Sequence, residues 1–388
     1  MPAGRWPGAQ PIREFAAGDL IPGLPDDLAL ICLARISYGY HGILECVSRR
    51  WRDTFRSKEY SFLKCKEGWC GNWLFVLTEQ QPDLQWNAYD PDANKWHPLP
   101  MMPMINCESI HRGFSCVTLC KKLLVLGGYY LSLTKEGSPD PYKPTVATDD
   151  VMCFDPFEKK WSRVRGMRTP RYDFACAVIC GKVFVAGGSD SSVQGLAMAE
   201  VYDVLEDKWE DLPPMPVPLV CCFSISYDGR FHVIGRNANQ LRYFIFDPSD
   251  RSWKAVADLW QLYRLARNTT AVLGGRIYAI LEEGLKMLKM SDAEPSNWST
   301  LDAPPFVELP GHSRKLQPSE YGFIGLEGKL YLVGGKAVKY DSVAHVFNIV
   351  KFNCTRYCDP TGLRVEWREA RPMFRSCGTI IGCASLEE

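Results

Sequence analysis

The chain has 388 residues, 46% apolar and 23% charged, the balance of an ordinary globular protein rather than of a disordered one. Lys plus Arg and Asp plus Glu each number 45, so the net charge does not favour nucleic acid or an anionic membrane as a partner. No apolar run reaches the ~18 residues that a membrane span needs, and the start has no signal-peptide core. We therefore expect a protein of the cytoplasm or nucleus.

Residues 1–19 are expected to form a disordered tail, and residues 20–64 to form a small helical unit. Pro25 followed by Asp26 and Asp27 predicts a helix start, because proline suits the first turn and acids favour the positive end of the helix dipole. Apolar residues at helical spacing then fill 28–36 and 44–51. A unit of ~40 residues barely buries a core, so we expect it to dock on another surface.

The helical unit resembles the F-box, whose pattern is Leu-Pro, two acids, alternating aliphatics and later Val-(Cys or Ser)-basic-basic-Trp. LPDDLAL at 24–30 and VSRRW at 47–51 carry this resemblance. It implies that the unit binds a Skp-family adaptor and, through it, a cullin-RING ubiquitin ligase. The adaptor-binding residues that the resemblance implies are Leu24, Pro25, Leu28, Leu30, Cys32, Leu33, Ile36, Val47 and Trp51. The alternative is a helical cap packed on the domain that follows.

After a predicted linker at 65–72, a repeated pattern fills residues 73–388. Its clearest unit, DFACAVICGKVFVAGGS at 173–189, has two apolar runs and a closing glycine pair. An aromatic-Asp turn and a tryptophan follow in each unit, and the tryptophans are Trp96, Trp161, Trp209, Trp253, Trp298 and Trp367. Intervals of about 45 residues between the middle four are typical of propeller blades.

Each repeat predicts four short strands, which we call A to D. The pattern resembles the kelch repeat, marked by Gly-Gly at the end of strand B, Tyr or Phe on C and Trp at the start of D. Gly235-Arg236 and Ile280-Leu281 stand where two units lack the glycine pair. The resemblance implies an all-β, six-bladed kelch β-propeller preceded by the small all-α F-box.

The two ends of the repeat region complete one blade. FRSCGTIIGCASL at 374–386 predicts a strand A with no B, C or D after it, whereas the first unit begins at Trp73 and has no A. We therefore expect the C-terminal strand to close the ring by pairing into the first blade, which removes exposed sheet edges.

An F-box followed by a kelch propeller resembles the plant F-box/kelch-repeat group. The resemblance implies a substrate-recognition subunit of a Skp-cullin-F-box (SCF) ubiquitin ligase, whose propeller binds the protein to be ubiquitinated. One alternative is a kelch scaffold without a ligase role. Another is an enzyme like the copper radical oxidases, which need two His and two Tyr ligands. The six histidines here are dispersed, so we expect no catalysis, no cofactor and no metal site.

The target protein is expected on the side of the propeller where the B-to-C and D-to-A connections emerge. The chain enters the first blade at strand B, which places the F-box on the other side. The candidate target-binding residues are Arg112, Tyr129, Tyr130, Arg171, Tyr172, Ser189, Arg236, Arg267, Arg314, Lys336 and Arg375. A ring of arginines would favour an acidic segment. The alternative is that some of them bond backbone carbonyls at blade junctions.

The 16 cysteines are expected to be reduced thiols, because disulfides are rare where we place this chain. Cys116/Cys120 and Cys176/Cys180 fall on predicted strands, where positions i and i+4 share one face. We therefore expect both sulfurs of each pair to pack in one buried layer.

Overall fold

The computed structural model describes residues 19–79, 85–103, 109–132, 146–256, 270–281, 284–288, 299–302, 319–341, 345–362, 364–373 and 377–387. The chain divides into two compact units, with the boundary between Gly71 and Asn72. The predicted disordered tail lies outside the described residues except for Asp19. No helix in the described part of the chain is long and apolar enough to cross a membrane.

The N-terminal unit is helical. Its helices are α1 (Asp26–Ala34), α2 (His41–Leu44), α3 (Arg49–Phe55) and α4 (Lys58–Lys66), with a 3-10 turn at Tyr38–Tyr40. The Ser48 hydroxyl accepts a hydrogen bond from the Trp51 amide at 3.0 Å and so caps α3. Helix α4 continues two residues into the segment predicted as a linker.

Two fully buried polar side chains fasten α4 to α1. The Tyr60 hydroxyl donates to the Leu33 carbonyl at 3.0 Å. The Lys64 ammonium donates to the carbonyls of Ala34 and Ile36 at 2.8 and 2.9 Å. Carbonyls at the end of a helix have no partner within it, so the lysine satisfies groups that would otherwise be buried without a hydrogen bond.

The second unit consists of strands. The first fourteen are β1 (Trp73–Thr78), β2 (Trp86–Asp90), β3 (Lys95–Pro98), β4 (Ser109–Arg112), β5 (Ser115–Leu119), β6 (Lys122–Leu126), β7 (Tyr129–Ser132), β8 (Val146–Ala147), β9 (Val151–Asp155), β10 (Lys160–Val164), β11 (Ala175–Ile179), β12 (Lys182–Ala186), β13 (Ala199–Asp203) and β14 (Lys208–Leu212). The next are β15 (Val220–Tyr227), β16 (Arg230–Asn237), β17 (Gln240–Asp247), β18 (Ser252–Ala255), β19 (Thr270–Leu273), β20 (Arg276–Leu281), β21 (Gly284–Leu288), β22 (Ser299–Leu301), β23 (Gly322–Leu326), β24 (Lys329–Val333), β25 (Lys336–Asp341), β26 (Val346–Lys351), β27 (Thr355–Cys358), β28 (Arg368–Ala370) and β29 (Ile380–Leu386).

These strands form six antiparallel blades of four. In order from strand A to strand D, the blades are β29-β1-β2-β3, β5-β6-β9-β10, β11 to β14, β15 to β18, β19 to β22, and β23-β24-β27-β28. The innermost strands contact one another in the cyclic order β29, β5, β11, β15, β19, β23 and back to β29. Because β29 pairs with β1 from Trp73↔Leu386 onward, the C-terminal strand closes the first blade. The predicted six-bladed propeller and its closure are confirmed.

The repeated tryptophans join neighbouring blades. Each described one donates its indole N–H to a carbonyl just beyond strand D of the preceding blade. The pairs are Trp96 with Arg371, Trp161 with Pro100, Trp209 with Arg165, Trp253 with Pro213, and Trp367 with Asp302, at 2.7 to 3.2 Å. Within its own blade, Trp209 also stacks on Tyr202 with ring centroids 4.9 Å apart. The tryptophan therefore holds a strand C to a strand D and one blade to the next.

The glycine pairs turn the chain sharply at the end of strand B. Gly187 and Gly188 have φ of 65° and 88°, and a Cβ on Gly188 would lie 2.6 Å from the Tyr172 carbonyl oxygen. Where Gly235-Arg236 replaces the pair, strand β16 runs straight through and returns as β17 after two residues. The pair therefore marks blades whose B-to-C connection leaves the sheet.

The expectation for the C-x-x-x-C pairs is wrong. Cys120 and Cys180 are exposed turn residues with φ of 51° and 48°, at the A-to-B turn, so they do not share a packed layer with Cys116 and Cys176. The turn reverses the chain before position i+4 of the strand is reached. All described cysteines are thiols.

Candidate protein-binding surfaces

The N-terminal unit exposes part of the predicted adaptor-binding set. Pro25, Leu28, Cys32 and Val47 are exposed, and Leu24, Leu30, Ile36 and Trp51 are half-buried. Leu33 is only 2% exposed and packs inside the unit, so its prediction as an adaptor contact is wrong. A residue of an amphipathic helix that faces its own core cannot also face a partner.

Two further apolar side chains are exposed on this unit and were not predicted. Ile43 on α2 is 67% exposed, and Phe62 on α4 is similarly exposed. The sequence holds no signal for either, because α2 has a single turn and Phe62 lies between Tyr60 and Lys64, which face the core. Large exposed apolar side chains on a folded unit are typical of protein interfaces.

The start of α1 is held against α3 by charge. Asp26 accepts a hydrogen bond from the Leu20 amide at 2.8 Å and forms an ion pair with Arg50. The hydrogen bond from the Leu20 amide, together with the positive charge of the Arg50 guanidinium, lowers the pKa of the Asp26 carboxyl. The Trp51 indole donates to the Leu20 carbonyl at 2.6 Å, so Trp51 fixes the chain before α1. A shallow groove of about 540 Å³ between α1 and α3 is lined by Leu30 among others.

On the propeller we define the loop face as the side where the B-to-C and D-to-A connections emerge. Three blades extend there. The second blade carries the sheet β4-β7-β8, the third carries the loop at residues 187–198, and the sixth carries the ribbon β25-β26. The fourth and fifth blades return through short hairpins at β16-β17 and β20-β21. The loop face is therefore uneven around the ring.

Arg171 does not contribute to the loop face, contrary to the prediction. Its side chain is 0% exposed, and its guanidinium donates to the carbonyls of Gly187 and Met198 at 3.0 and 2.9 Å and to the Glu200 carboxylate at 2.6 Å. Glu200 also accepts the amide of Arg168 at 2.7 Å. Arg171 therefore anchors both ends of the 187–198 loop. This agrees with the alternative interpretation, in which some of these arginines bond backbone carbonyls at blade junctions.

His111 has a similar role in the second blade. Its Nε2 lies 2.6 Å from the carbonyl oxygen of Gly127, the first glycine of that blade's pair. Burial lowers the pKa of His111 to about 4, so the ring is neutral at pH 7 and donates Nε2–H to this carbonyl. Sequence reasoning missed this residue because a lone histidine gives no pattern. In both blades a buried side chain satisfies the carbonyl that the glycine turn directs inward.

Tyr172 and Ser189 are also buried, contrary to their prediction as contact residues. Their backbones exchange hydrogen bonds of 3.0 and 2.8 Å, which tie the start of strand A to the end of strand B. Tyr129 and Tyr130 are half-buried; Tyr130 stacks on His111 with centroids 4.7 Å apart, and burial raises its pKa to about 12. These residues therefore support the loop face from its buried side.

The basic residues of the loop face are largely paired. Arg112 forms an ion pair with Glu79, and Lys336 one with Glu320 at 2.8 Å. Arg236 is exposed. The other predicted arginines, Arg267, Arg314 and Arg375, lie outside the described residues. The described part of the face therefore does not present the ring of free arginines that the sequence predicts.

The loop face also exposes apolar side chains. Each extended connection presents large apolar side chains to solvent, namely Val146 on the second blade, Val193 and Met198 on the third, and Val338, Phe347 and Ile349 on the sixth. Phe347 is 72% exposed. Exposed apolar side chains of this size on connections between strands are suited to bind another protein.

The axis of the propeller leaves little room for a small molecule. Phe223 and Phe323 on two inner strands, and Phe114 and Phe174 just before two others, line a central cavity of about 120 Å³. Typical ligand pockets have roughly 300 Å³ or more. The loop face, rather than the axis, is the surface that fits a macromolecular partner.

Comparison with known proteins agrees with both units. The F-box domain family matches residues 21–63, and the Kelch motif family matches residues 170–216. The F-box/kelch-repeat protein At1g16250 of Arabidopsis thaliana is 45% identical over 97% of this chain and 99% of its own. The F-box/kelch-repeat protein At1g67480 of the same plant is 30% identical over 84% and 82%.

Among solved structures, that of YjhT aligns at 14% identity with a TM-score of 0.49, covering 72% of this chain and 87% of its own. The near full-length match at 45% identity, together with the two family matches, decides the assignment. This chain belongs to the F-box/kelch-repeat protein family.

Proposed function

We propose that this chain is the substrate-recognition subunit of an SCF-type E3 ubiquitin ligase. Its F-box binds a Skp-family adaptor, and through it the cullin-RING ligase, while its propeller binds the protein to be ubiquitinated. The chain itself is non-catalytic. The observation that carries the proposal is the set of apolar side chains that the folded F-box leaves exposed, Leu28, Ile43 and Val47.

The adaptor half is tested by binding of the purified full chain to a Skp-family adaptor. Leu28→Asp and Val47→Asp each place a charge where an apolar contact is needed, so we expect about tenfold weaker binding or more. Both side chains are exposed, so the helices remain folded, which circular dichroism checks.

Leu205→Asp is the matched control. Leu205 is 90% exposed and lies in the C-to-D turn of the third blade, so it belongs to the propeller unit and not to the F-box. It should bind the adaptor like the wild type. Equal binding by Leu28→Asp, Val47→Asp and wild type would exclude the adaptor role and favour the scaffold alternative.

We place the target contact on the loop face, with the ribbon β25-β26 as a principal element. Val338 and Ile349 are cross-strand partners, and Phe347 lies two positions from Ile349, so the three share one side of the ribbon. All three are exposed, and Lys336 and Lys351 are partners at the base of the same side. This side fits an apolar segment of a target protein.

Target capture is tested by proximity labelling with the intact chain under proteasome inhibition. Proteins labelled by the wild type that accumulate on inhibition are the candidate targets. Phe347→Asp should reduce their labelling about tenfold while leaving adaptor binding unchanged, and Leu205→Asp should change neither. Unchanged labelling with Phe347→Asp would remove the ribbon from the target contact.

We further propose that the protein works in the cytoplasm or nucleus. The proposed assembly with a cullin-RING ubiquitin ligase supports this location. Fluorescence microscopy of the tagged full chain tests this proposal, and a signal confined to the secretory pathway would contradict it.

A further inference from the structure

The end of α4 brings two thiols into contact. The sulfurs of Cys65 and Cys70 lie 3.3 Å apart. Cys65 is in the last turn of the helix and is exposed, whereas Cys70 follows the helix and is 5% exposed. A disulfide joins its sulfurs at about 2.05 Å, so bond formation requires an approach of about 1.3 Å.

The helix cap explains why these thiols meet. Gly68 has φ of 69°, its amide donates to the Cys65 carbonyl at 3.5 Å, and the Trp69 amide donates to the Lys64 carbonyl at 2.9 Å. This is a Schellman motif, in which a left-handed glycine turns the chain back over the last helical turn. The motif places the residue after Trp69 over Cys65, so the contact follows from local backbone geometry.

Further contacts hold the turn in place. The buried Lys64 ammonium donates to the Trp69 carbonyl as well as to the end of α1. The Arg35 guanidinium lies 4.9 Å from the centroid of the Trp69 ring, and the Tyr38 hydroxyl lies 3.8 Å from the Cys70 sulfur. A fixed geometry of this kind favours reaction between the two sulfurs over reaction with a thiol from solution.

We propose that Cys65 and Cys70 form a redox modification site that a hydroperoxide converts to an intramolecular disulfide. The exposed Cys65 thiolate attacks a peroxide oxygen and the O–O bond breaks, which gives a sulfenic acid and a hydroxide; the hydroxide takes up the proton that the Cys65 thiol lost and becomes water. The Cys70 thiolate then attacks the Cys65 sulfur, the S–S bond forms, and hydroxide leaves and takes up a proton as water. Two thiols lose two electrons and two protons, and hydrogen peroxide is reduced to two waters.

The position gives the modification a structural consequence. Cys70 stands two residues before Asn72, where the propeller unit begins. The disulfide therefore closes the turn that ends the F-box unit, and reduction of the bond by a dithiol opens it. Neither step requires the adaptor or the target, so this inference is independent of the proposed function.

The test treats the full chain with hydrogen peroxide, alkylates the remaining thiols and maps cysteines by mass spectrometry without reduction. We expect a Cys65–Cys70 cross-link that dithiothreitol reverses. With dimedone present, Cys70→Ser should accumulate a sulfenic-acid adduct at Cys65 about tenfold above wild type, because its resolving thiol is gone. Cys46→Ser, which removes an exposed thiol elsewhere in the F-box, should still form the cross-link.

Two results would overturn the proposal. One is that Cys65 and Cys70 of the wild-type chain are both still reduced, and so are alkylated, after a peroxide treatment that oxidises the exposed Cys46. The other is equal dimedone labelling of Cys65 in wild type and Cys70→Ser, which would show that Cys70 does not resolve the sulfenic acid.

Discussion

Arg171 offers the sharpest test of how the propeller is held together. Sequence pattern places it on a binding surface, whereas the structure makes it the internal partner of Glu200 and of two loop carbonyls. Arg171→Met keeps an unbranched apolar side chain at this position and removes the guanidinium and its charge. We expect this change to destabilise the propeller strongly, because it leaves the Glu200 carboxylate buried and without its cation.

The expected size of the effect follows from the contacts. Removing one member of a buried ion pair costs about 3–5 kcal/mol. Glu200 keeps two backbone donors, the amides of Arg168 and Thr169 at 2.7 and 3.1 Å, so we expect the lower part of that range, about 3 kcal/mol. The double variant Arg171→Met/Glu200→Gln removes the stranded charge and keeps an acceptor for one of the two amides. We expect it to recover about half of the loss.

Equilibrium urea unfolding of the full chain, followed by tryptophan fluorescence, measures these differences. Arg368→Ala is the control, because that side chain is 68% exposed and should cost under ~0.5 kcal/mol. A loss below about 1 kcal/mol for Arg171→Met, or a double variant no more stable than the single one, would refute the buried-charge argument. Arg171 would then be free to act as a surface residue.

Three other changes test the closure, the blade contacts and the buried histidines. Deletion of residues 377–388 removes β29 and leaves β1 without its inner partner, so we expect cooperative unfolding to be lost; an unchanged melting curve would contradict the closure. Trp209→Phe keeps a ring beside Tyr202 but loses the 2.9 Å bond to the Arg165 carbonyl, and should cost about 1 kcal/mol in thermal unfolding. Burial lowers the pKa of His111 and His232 to about 4, below the ~6.5 of the unfolded chain, so stability should fall as pH falls from about 6.5 to 4, by up to about 3 kcal/mol per histidine. Urea midpoints at pH 7 and 4.5 measure this, and His232→Gln should show the shallower dependence.

The architecture is predictable from the sequence because its signals are local and repeated. In the first four blades a tryptophan on strand D pairs with an aromatic residue opposite it on strand C, as Tyr202↔Trp209 shows, and the indole N–H reaches the preceding blade. The sequence of such a unit therefore predicts both the pairing of its own strands and its contact with the preceding blade. The missing strand A of the first unit appears at the other end of the chain, as β29, so the closure of the ring can also be predicted from the sequence.

The binding residues are less predictable because exposure depends on distant partners. Arginine is usually a surface residue, but Arg171 is buried because Glu200 lies 29 positions away on strand C and two loop carbonyls converge on the same point. In the F-box, Leu33 and Leu28 look alike in sequence, yet only Leu28 is exposed. Apolar residues such as Phe347 resemble core positions until the fold shows that their ribbon stands apart from its blade.

The glycine pairs decide the shape of the loop face. At Gly127 and Gly187 the chain turns out of the blade, and a buried His111 or Arg171 bonds the carbonyl that the turn directs inward. In the fourth blade Arg236 takes the second glycine position, the strand continues, and its side chain is exposed. The degenerate repeats thus make short hairpins, and the complete repeats make extended connections.

Since the extended connections belong to the second, third and sixth blades, the exposed apolar side chains lie on the part of the ring that runs from the sixth blade through the first to the third. We expect a target bound by these side chains to leave the fourth blade uncovered. Arg236→Glu should therefore leave target labelling unchanged, whereas Phe347→Asp and Val193→Asp should reduce it. If Arg236→Glu reduced target labelling as much as Phe347→Asp does, the target would instead contact the whole ring and depend on its charge.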